Sequence, residues 1–120
     1  MQDSPLSVVR GYHRAWTARR VAEAARLLAP DLAVEVPVNS YPTKESFVEA
    51  LNGFGALVKR VELLAELEGD GEAMLLYDMD VELIGPMRVA EHFTVERGHI
   101  TRVRQIHDTV AVRAAGMVKG

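Results

Sequence analysis

"MRVAEHFTVERGHITRVRQIHDT", residues 87–109, reads as two antiparallel strands, and its register decides which of its polar residues face the core. Two connections compete. A two-residue type I′ turn at Arg97-Gly98 requires positive φ at an arginine, whereas a three-residue loop Glu96-Arg97-Gly98 requires it only at the glycine and is preferred. That loop pairs Val95 with His99, Glu91 with Val103, Val89 with Gln105 and Met87 with His107. Glu91, Gln105 and His107 then share the apolar face of Met87, Val89, Phe93, Val95 and Val103. Arg88, His92, Arg102, Arg104 and Asp108 fall on the other face, a stripe of mixed charge suited to solvent or a partner subunit.

Upstream, the period-two pattern continues. Val61, Leu63, Ala65 and Leu67 alternate with charged residues from Val58 onward, predicting a strand with one buried face. Gly69-Asp70-Gly71 is its turn, and a strand of about ten residues starts at Ala73. Ile84-Gly85-Pro86 ends that strand, and the last two run from Met87 to Glu96 and from Ile100 to Val110. Tyr77, Met79, Val81 and Leu83 form the more apolar set in the strand that starts at Ala73, which sends Asp78 and Asp80 outward. The opposite facing would put three carboxylates in one cavity, at least one of them protonated near neutral pH.

The N-terminal part has helical periodicity. Ser4-Pro5 suits a helix start, and behind it Val8, Val9, Tyr12, Ala15 and Trp16 make one apolar face. Val21, Ala24, Ala25 and Leu28 mark a second helix ending at Ala29-Pro30. "LAVEV" (32–36) alternates as a short strand. "YPTKES" (41–46) starts a third helix capped by Thr43, with Phe47, Ala50, Leu51 and Phe54 on its buried face. Gly53 and Gly55 in "LNGFGALV" (51–58) fit a helix-to-strand turn rather than a phosphate cradle. The last ten residues read as a frayed tail or a short helix.

Composition narrows the function. The 120 residues are 48% hydrophobic and 26% charged, which fits one domain over residues 1–120 with a single core. Net charge is −3 and Lys and Arg are scattered, so neither nucleic acid nor an acidic membrane surface is an expected partner. The absence of cysteine excludes disulfides, thiolate metal sites and cysteine nucleophiles. His13, His92, His99 and His107 lack HExxH spacing, and no phosphate loop, nucleophile elbow or dinucleotide fingerprint is present, so no metal or cofactor is expected. With no signal-peptide-like run and no apolar segment of spanning length, the expected location is cytoplasmic.

Helix-helix-strand-helix followed by a long meander, with "VVRGYHRAW" (8–16) at the start and "AEHFTVERGHITRVRQIHD" (90–108) at the end, resembles the nuclear transport factor 2-like superfamily. The SnoaL-like and ketosteroid-isomerase-like branches are the most similar. The resemblance covers about Leu6 to Thr109. It implies an α+β, cystatin-like fold, with a cone-shaped curved antiparallel sheet wrapped around three N-terminal helices. It also implies an apolar ligand-binding pocket at the open end and a homodimer formed through the sheet.

The residue-level match is partial. The resemblance makes Tyr12 a hydrogen-bond donor to a substrate oxyanion and Glu91 a second donor, where the isomerases keep a protonated aspartic acid. "VEVPVNS" (34–40) matches the strand that carries the isomerases' aspartate base, and Val36 stands in its place. The SnoaL-like cyclases and epoxide hydrolases place a catalytic aspartate where this chain has Gln105. Neither residue takes a proton, so steroid isomerisation by that route is not expected.

Tyr12 and Trp16 read either as core aromatics or as pocket residues. An inward Glu91 requires solvent, a cation or a function. His107 reads as a satisfied strand histidine or as a base. The leading expectation is a pocket protein for a small, apolar carbonyl or hydroxyl compound, with isomerase, cyclase or hydratase chemistry that needs no cofactor. Tyr12 and Glu91 would polarise, His107 would act as base, and Trp16, Val36, Phe54, Asp78, Val89 and Gln105 would line the pocket. The alternative is a non-catalytic ligand-binding or dimerisation module that has lost the family's catalytic carboxylates.

Overall fold

The computed structural model describes residues 4–117. Helix α1 spans Pro5–Thr17, and Ser4 caps it by accepting a hydrogen bond from the Ser7 amide at 3.1 Å. Its buried face is Val8, Val9, Tyr12, His13, Ala15 and Trp16. α2 spans Val21–Arg26 and α3 spans Lys44–Gly55. A reciprocal capping box starts α3: the Thr43 hydroxyl accepts from the Ser46 amide, and the Ser46 hydroxyl accepts from the Thr43 amide, each at 3.1 Å.

Five strands follow one another as β1 Leu28–Glu35, β2 Val58–Gly69, β3 Glu72–Val81, β4 Gly85–Glu96 and β5 His99–Ile106. They form one sheet in the order β1-β5-β4-β3-β2, antiparallel except for β1, which runs parallel to β5. The second helix therefore ends earlier than its apolar pattern predicts, because Leu28 and Ala29 already belong to β1. Pro30 is tolerated inside that strand because β1 is an edge and is irregular between Leu28 and Ala33. The predicted final strand to Val110 stops at Ile106, and Val110–Ala114 turns into a short helix, α4. Among the described residues no helix is long and apolar enough to cross a membrane.

The hairpin register differs from the sequence expectation. Arg97 does adopt positive φ, +52°, followed by Gly98 at +78°, so the connection has the two-residue I′ pattern and Glu96 pairs with His99. The pairing then shifts: Val95 faces Ile100 but Thr94 faces Arg102, leaving Thr101 as the extra residue of a bulge. The bulge restores the parity that the I′ turn alone would have reversed. Glu91, Gln105 and His107 do share the inward face with Phe93 and Val103, but Glu91 lies opposite Gln105 and not opposite Val103.

β2 departs further. It also bulges, between Leu63 and Ala65, and beyond that point the faces exchange. Glu66 and Glu68 turn toward α1, where Arg10 pairs with Glu66 and the Leu6 amide donates to Glu68 at 2.8 Å. Leu67, predicted buried, is 67% exposed on the outer face beside Met74. The core lies on the inner face, between α1 and Leu75, Tyr77, Val89, Phe93, Ile100 and Val103. Fully burying such side chains stabilises by roughly 1.5–3 kcal/mol each.

Candidate functional site

The inner face of the sheet and helices α1, α3 and α4 enclose a cavity of about 870 Å³. Its walls are apolar and aromatic: Trp16 from α1, Phe54 from α3, Met79, Met87 and Val89 from the sheet, and Val36 from the segment after β1. Near the mouth the Asn39 amide donates to the Met117 carbonyl at 3.1 Å, tying the segment after β1 to the C-terminal end.

Four polar side chains meet deep in this cavity. Glu91, 1% exposed, projects from the middle of β4. Gln105, its direct cross-strand partner, donates to Oε2 at 2.8 Å. Tyr77 lies diagonally across from it on β3, opposite Val89, and its hydroxyl donates to Oε1 at 2.9 Å. Tyr12 comes from the buried face of α1 and packs edge-on against Phe93 with ring centroids 5.8 Å apart. Its hydroxyl is buried with no hydrogen-bond partner among the described residues.

Electrostatics follows from this burial. Removing Glu91 from water pushes its carboxyl up to about 7, against the opposing pull of the hydrogen bonds from Gln105 and Tyr77, which favour the ionised form. No cation pairs with Glu91 among the described residues. Burial, and then the charge of Glu91, hold the Tyr12 and Tyr77 hydroxyls well above their ordinary value, so both stay protonated donors. A buried carboxyl that titrates near neutrality can give or take a proton.

Most of the expected pocket residues meet here: Tyr12, Trp16, Val36, Phe54, Val89, Glu91, Gln105 and His107 all line the cavity. Asp78 does not. It points to the outer face and forms a two-pronged pair with Arg88 at 2.7 and 2.8 Å, because residue 78 has the opposite strand parity to Tyr77. His107 stands two residues beyond Gln105 with Nδ1 2.9 Å from the Asp108 carbonyl.

The sequence reading missed two residues. Tyr77 was grouped only with the apolar set of its strand, although a tyrosine diagonal to an inward glutamate is within hydroxyl reach. His13, 7% exposed, packs its ring 4.8 Å from that of Tyr77 and 5.7 Å from that of Trp16. Its buried Nδ1 has no hydrogen-bond partner among the described residues, and burial lowers its pKa to about 4 despite the nearby Glu66 charge.

The model of the SnoaL-like domain matches residues 9–103. No match is found among curated proteins. Among solved structures, the chain is similar to a Kribbella flavida protein at 27% identity, over 95% of this chain and 94% of that one, with TM-score 0.88. It is also similar to a nuclear transport factor 2-like protein of unknown function from Cytophaga hutchinsonii at 15% identity, over 94% and 97%, with TM-score 0.83. A Kribbella flavida structure named as a candidate ketosteroid isomerase is 16% identical over 87% and 77%, with TM-score 0.76. The last two likenesses are of fold.

Proposed function

Because the chain belongs to the SnoaL-like domain family, within the nuclear transport factor 2-like superfamily, we propose that it is a small-molecule pocket protein. In this reading it holds one largely apolar compound by a carbonyl or hydroxyl oxygen and moves a proton on it. The observation that carries the reading is the buried Glu91 carboxyl, titrating at about 7, in the same apolar cavity as the unpartnered Tyr12 hydroxyl. Tyr12 and protonated Glu91 polarise the oxygen, Tyr77 and Gln105 fix the Glu91 carboxyl, and His107 on the same wall is the candidate base. Val36 leaves the base position of the isomerase-like branch without a titratable group, so the substrate differs from a steroid handled by that route.

The test uses Trp16, the single tryptophan, which lines the cavity. A panel of apolar ketones and alcohols is titrated against its fluorescence, and each ketone is followed by NMR for solvent deuterium entering next to the carbonyl. The expected result is a saturable Trp16 response with exchange, reduced about 100-fold by Glu91→Gln. Tyr12→Phe is expected to weaken binding about tenfold, the value of one hydrogen bond. A Trp16 response without exchange on any ketone would remove the catalytic step and leave the binding module.

The dimerisation reading is supported by a separate observation. Leu67 and Met74, cross-strand partners 67% and 37% exposed, sit together on the outer face of the sheet. A second copy is the proposed cover, giving a homodimer through the sheet. Light scattering should give the mass of a dimer for the native chain and of a monomer for a Leu67→Glu, Met74→Glu variant. A native monomer at high protein concentration would sink this proposal.

A further inference from the structure

The charges around the cavity are one-sided. Among the described residues its titratable walls are Glu91 and Glu49 with His107 and the tyrosines, and neither lysine nor arginine faces in. Among the described residues Glu91 is held only by neutral donors, the Tyr77 hydroxyl and the Gln105 amide. A buried carboxylate with no counter-charge is costly, and two neutral hydrogen bonds offset only part of that cost. The missing positive charge can come from whatever enters. An anionic head would instead put a like charge beside the buried Glu91 carboxylate. The aromatic residues Tyr12, Trp16, Phe54 and Tyr77 among the lining are of the type that accommodates a cation.

We infer that the molecule held in this cavity carries a basic nitrogen, bound as the ammonium with Glu91 as its counter-ion and the Tyr12 hydroxyl oxygen as a further acceptor. The inference rests on reading the cavity as a small-molecule site and not on the catalytic step, because a Glu91 ionised as counter-ion to an ammonium is not the protonated donor to an oxygen that the step uses. Three groups face Glu91: Tyr12 from α1, Tyr77 from β3 and Gln105 from β5, the last not titratable. His107 and Glu49 lie farther out on the same cavity, and His13 touches the ring of Tyr77 from behind. Both tyrosines stay protonated across the neutral range. The pH response of amine binding therefore follows Glu91.

Three compounds of one shape test this: 1-adamantylamine, 1-adamantanol and adamantane-1-carboxylate, titrated against Trp16 fluorescence from pH 6 to 8.5. The amine is expected to bind at least tenfold tighter than the alcohol at pH 8 and the carboxylate weakest. Amine affinity should fall by up to tenfold per pH unit below about 7 as Glu91 takes up its proton. Calorimetry in two buffers of different ionisation enthalpy should count about half a proton released at pH 7, where the free carboxyl is half protonated.

Glu91→Gln should remove both the advantage of the amine over the alcohol and the pH dependence of amine binding, a change that a merely structural role would not produce. The pH dependence should persist in a His107→Asn background. If the alcohol binds as tightly as the amine at pH 8, or the carboxylate binds tightest, the inference is overturned and the cavity reading stands. If none of the three moves the Trp16 signal, the cavity reading falls and the inference with it.

Discussion

Glu91→Gln is expected to turn a nearly level profile of stability against pH into one that rises with pH. Folding raises the Glu91 carboxyl from 4.5 to about 7, so the folded protein keeps a proton that the unfolded chain releases. That contribution is complete below 4.5 and is lost as pH climbs through 7, a change of about 3 kcal/mol. His13 acts in the opposite sense. Folding lowers it from 6.5 to about 4, so the unfolded chain takes up a proton that the folded protein refuses. Its contribution is complete above 6.5 and is lost as pH falls toward 4, again about 3 kcal/mol.

Between about 4.5 and 6.5 the two proton balances cancel, and removing either group exposes the other. Urea unfolding across this window should show Glu91→Gln gaining stability with rising pH. His13→Leu should lose stability with rising pH up to about 7, and the double variant should be level again. Glu66 and Asp78, held low by Arg10 and Arg88, lose their charge below this window; Asp78 does so equally in every variant, whereas Glu66 also loses the smaller pull of His13 in His13→Leu, so the Glu91→Gln difference carries the result. A Glu91→Gln profile parallel to that of the native chain would show that Glu91 titrates as an ordinary solvated carboxyl.

Phe93→Ala should have the largest effect on stability at any single pH. Phe93 is fully buried at the centre of β4 and supports the ring of Tyr12. Truncating such a phenylalanine leaves a void and costs about 3–5 kcal/mol, a large share of the roughly 5–15 kcal/mol available to a domain. Val110→Ala, at a residue 72% exposed, should stay within about 0.5 kcal/mol. Urea midpoints for the two variants decide the matter. Equal losses would mean that the core does not lie between α1 and β4.

The elements themselves were legible because each has a local signature. Ser4-Pro5 and Thr43 with Ser46 are written into the chain as caps, and the period of the apolar residues changes at Val58. The inward facing of Glu91, Gln105 and His107 was legible for a less secure reason. The three-residue loop and the true arrangement, a two-residue turn followed by a bulge, have the same strand parity. Nothing local announces the bulge at Thr101 or the one in β2 beside Leu64, since each is a property of the pairing between two strands and not of one strand's own sequence.

That is why the outward turn of Leu67 could not be read. The Tyr77 contact was hidden for a related reason: it joins neighbours on two strands, and the β3 register was open. Asp78 went to solvent because Arg88, directly across from it, provides a two-pronged partner there. His13 sits among apolar residues on α1, and its sequence context does not distinguish a buried ring from an exposed one.

The parallel pairing of β1 with β5 has a consequence for how the molecule comes into being. Strands β2 to β5 join neighbours through short hairpins and can zip up successively, each closure bridging a few residues. Leu28, by contrast, must find Ile100, 72 positions along the chain, and that long loop carries the larger entropic cost before any contact rewards it. Sealing the β1 edge is therefore expected late in folding and early in unfolding, and during synthesis it must wait until β5 has emerged. The wall that includes Val36 is put in place by that last step, so the cavity is the final part of the molecule to exist.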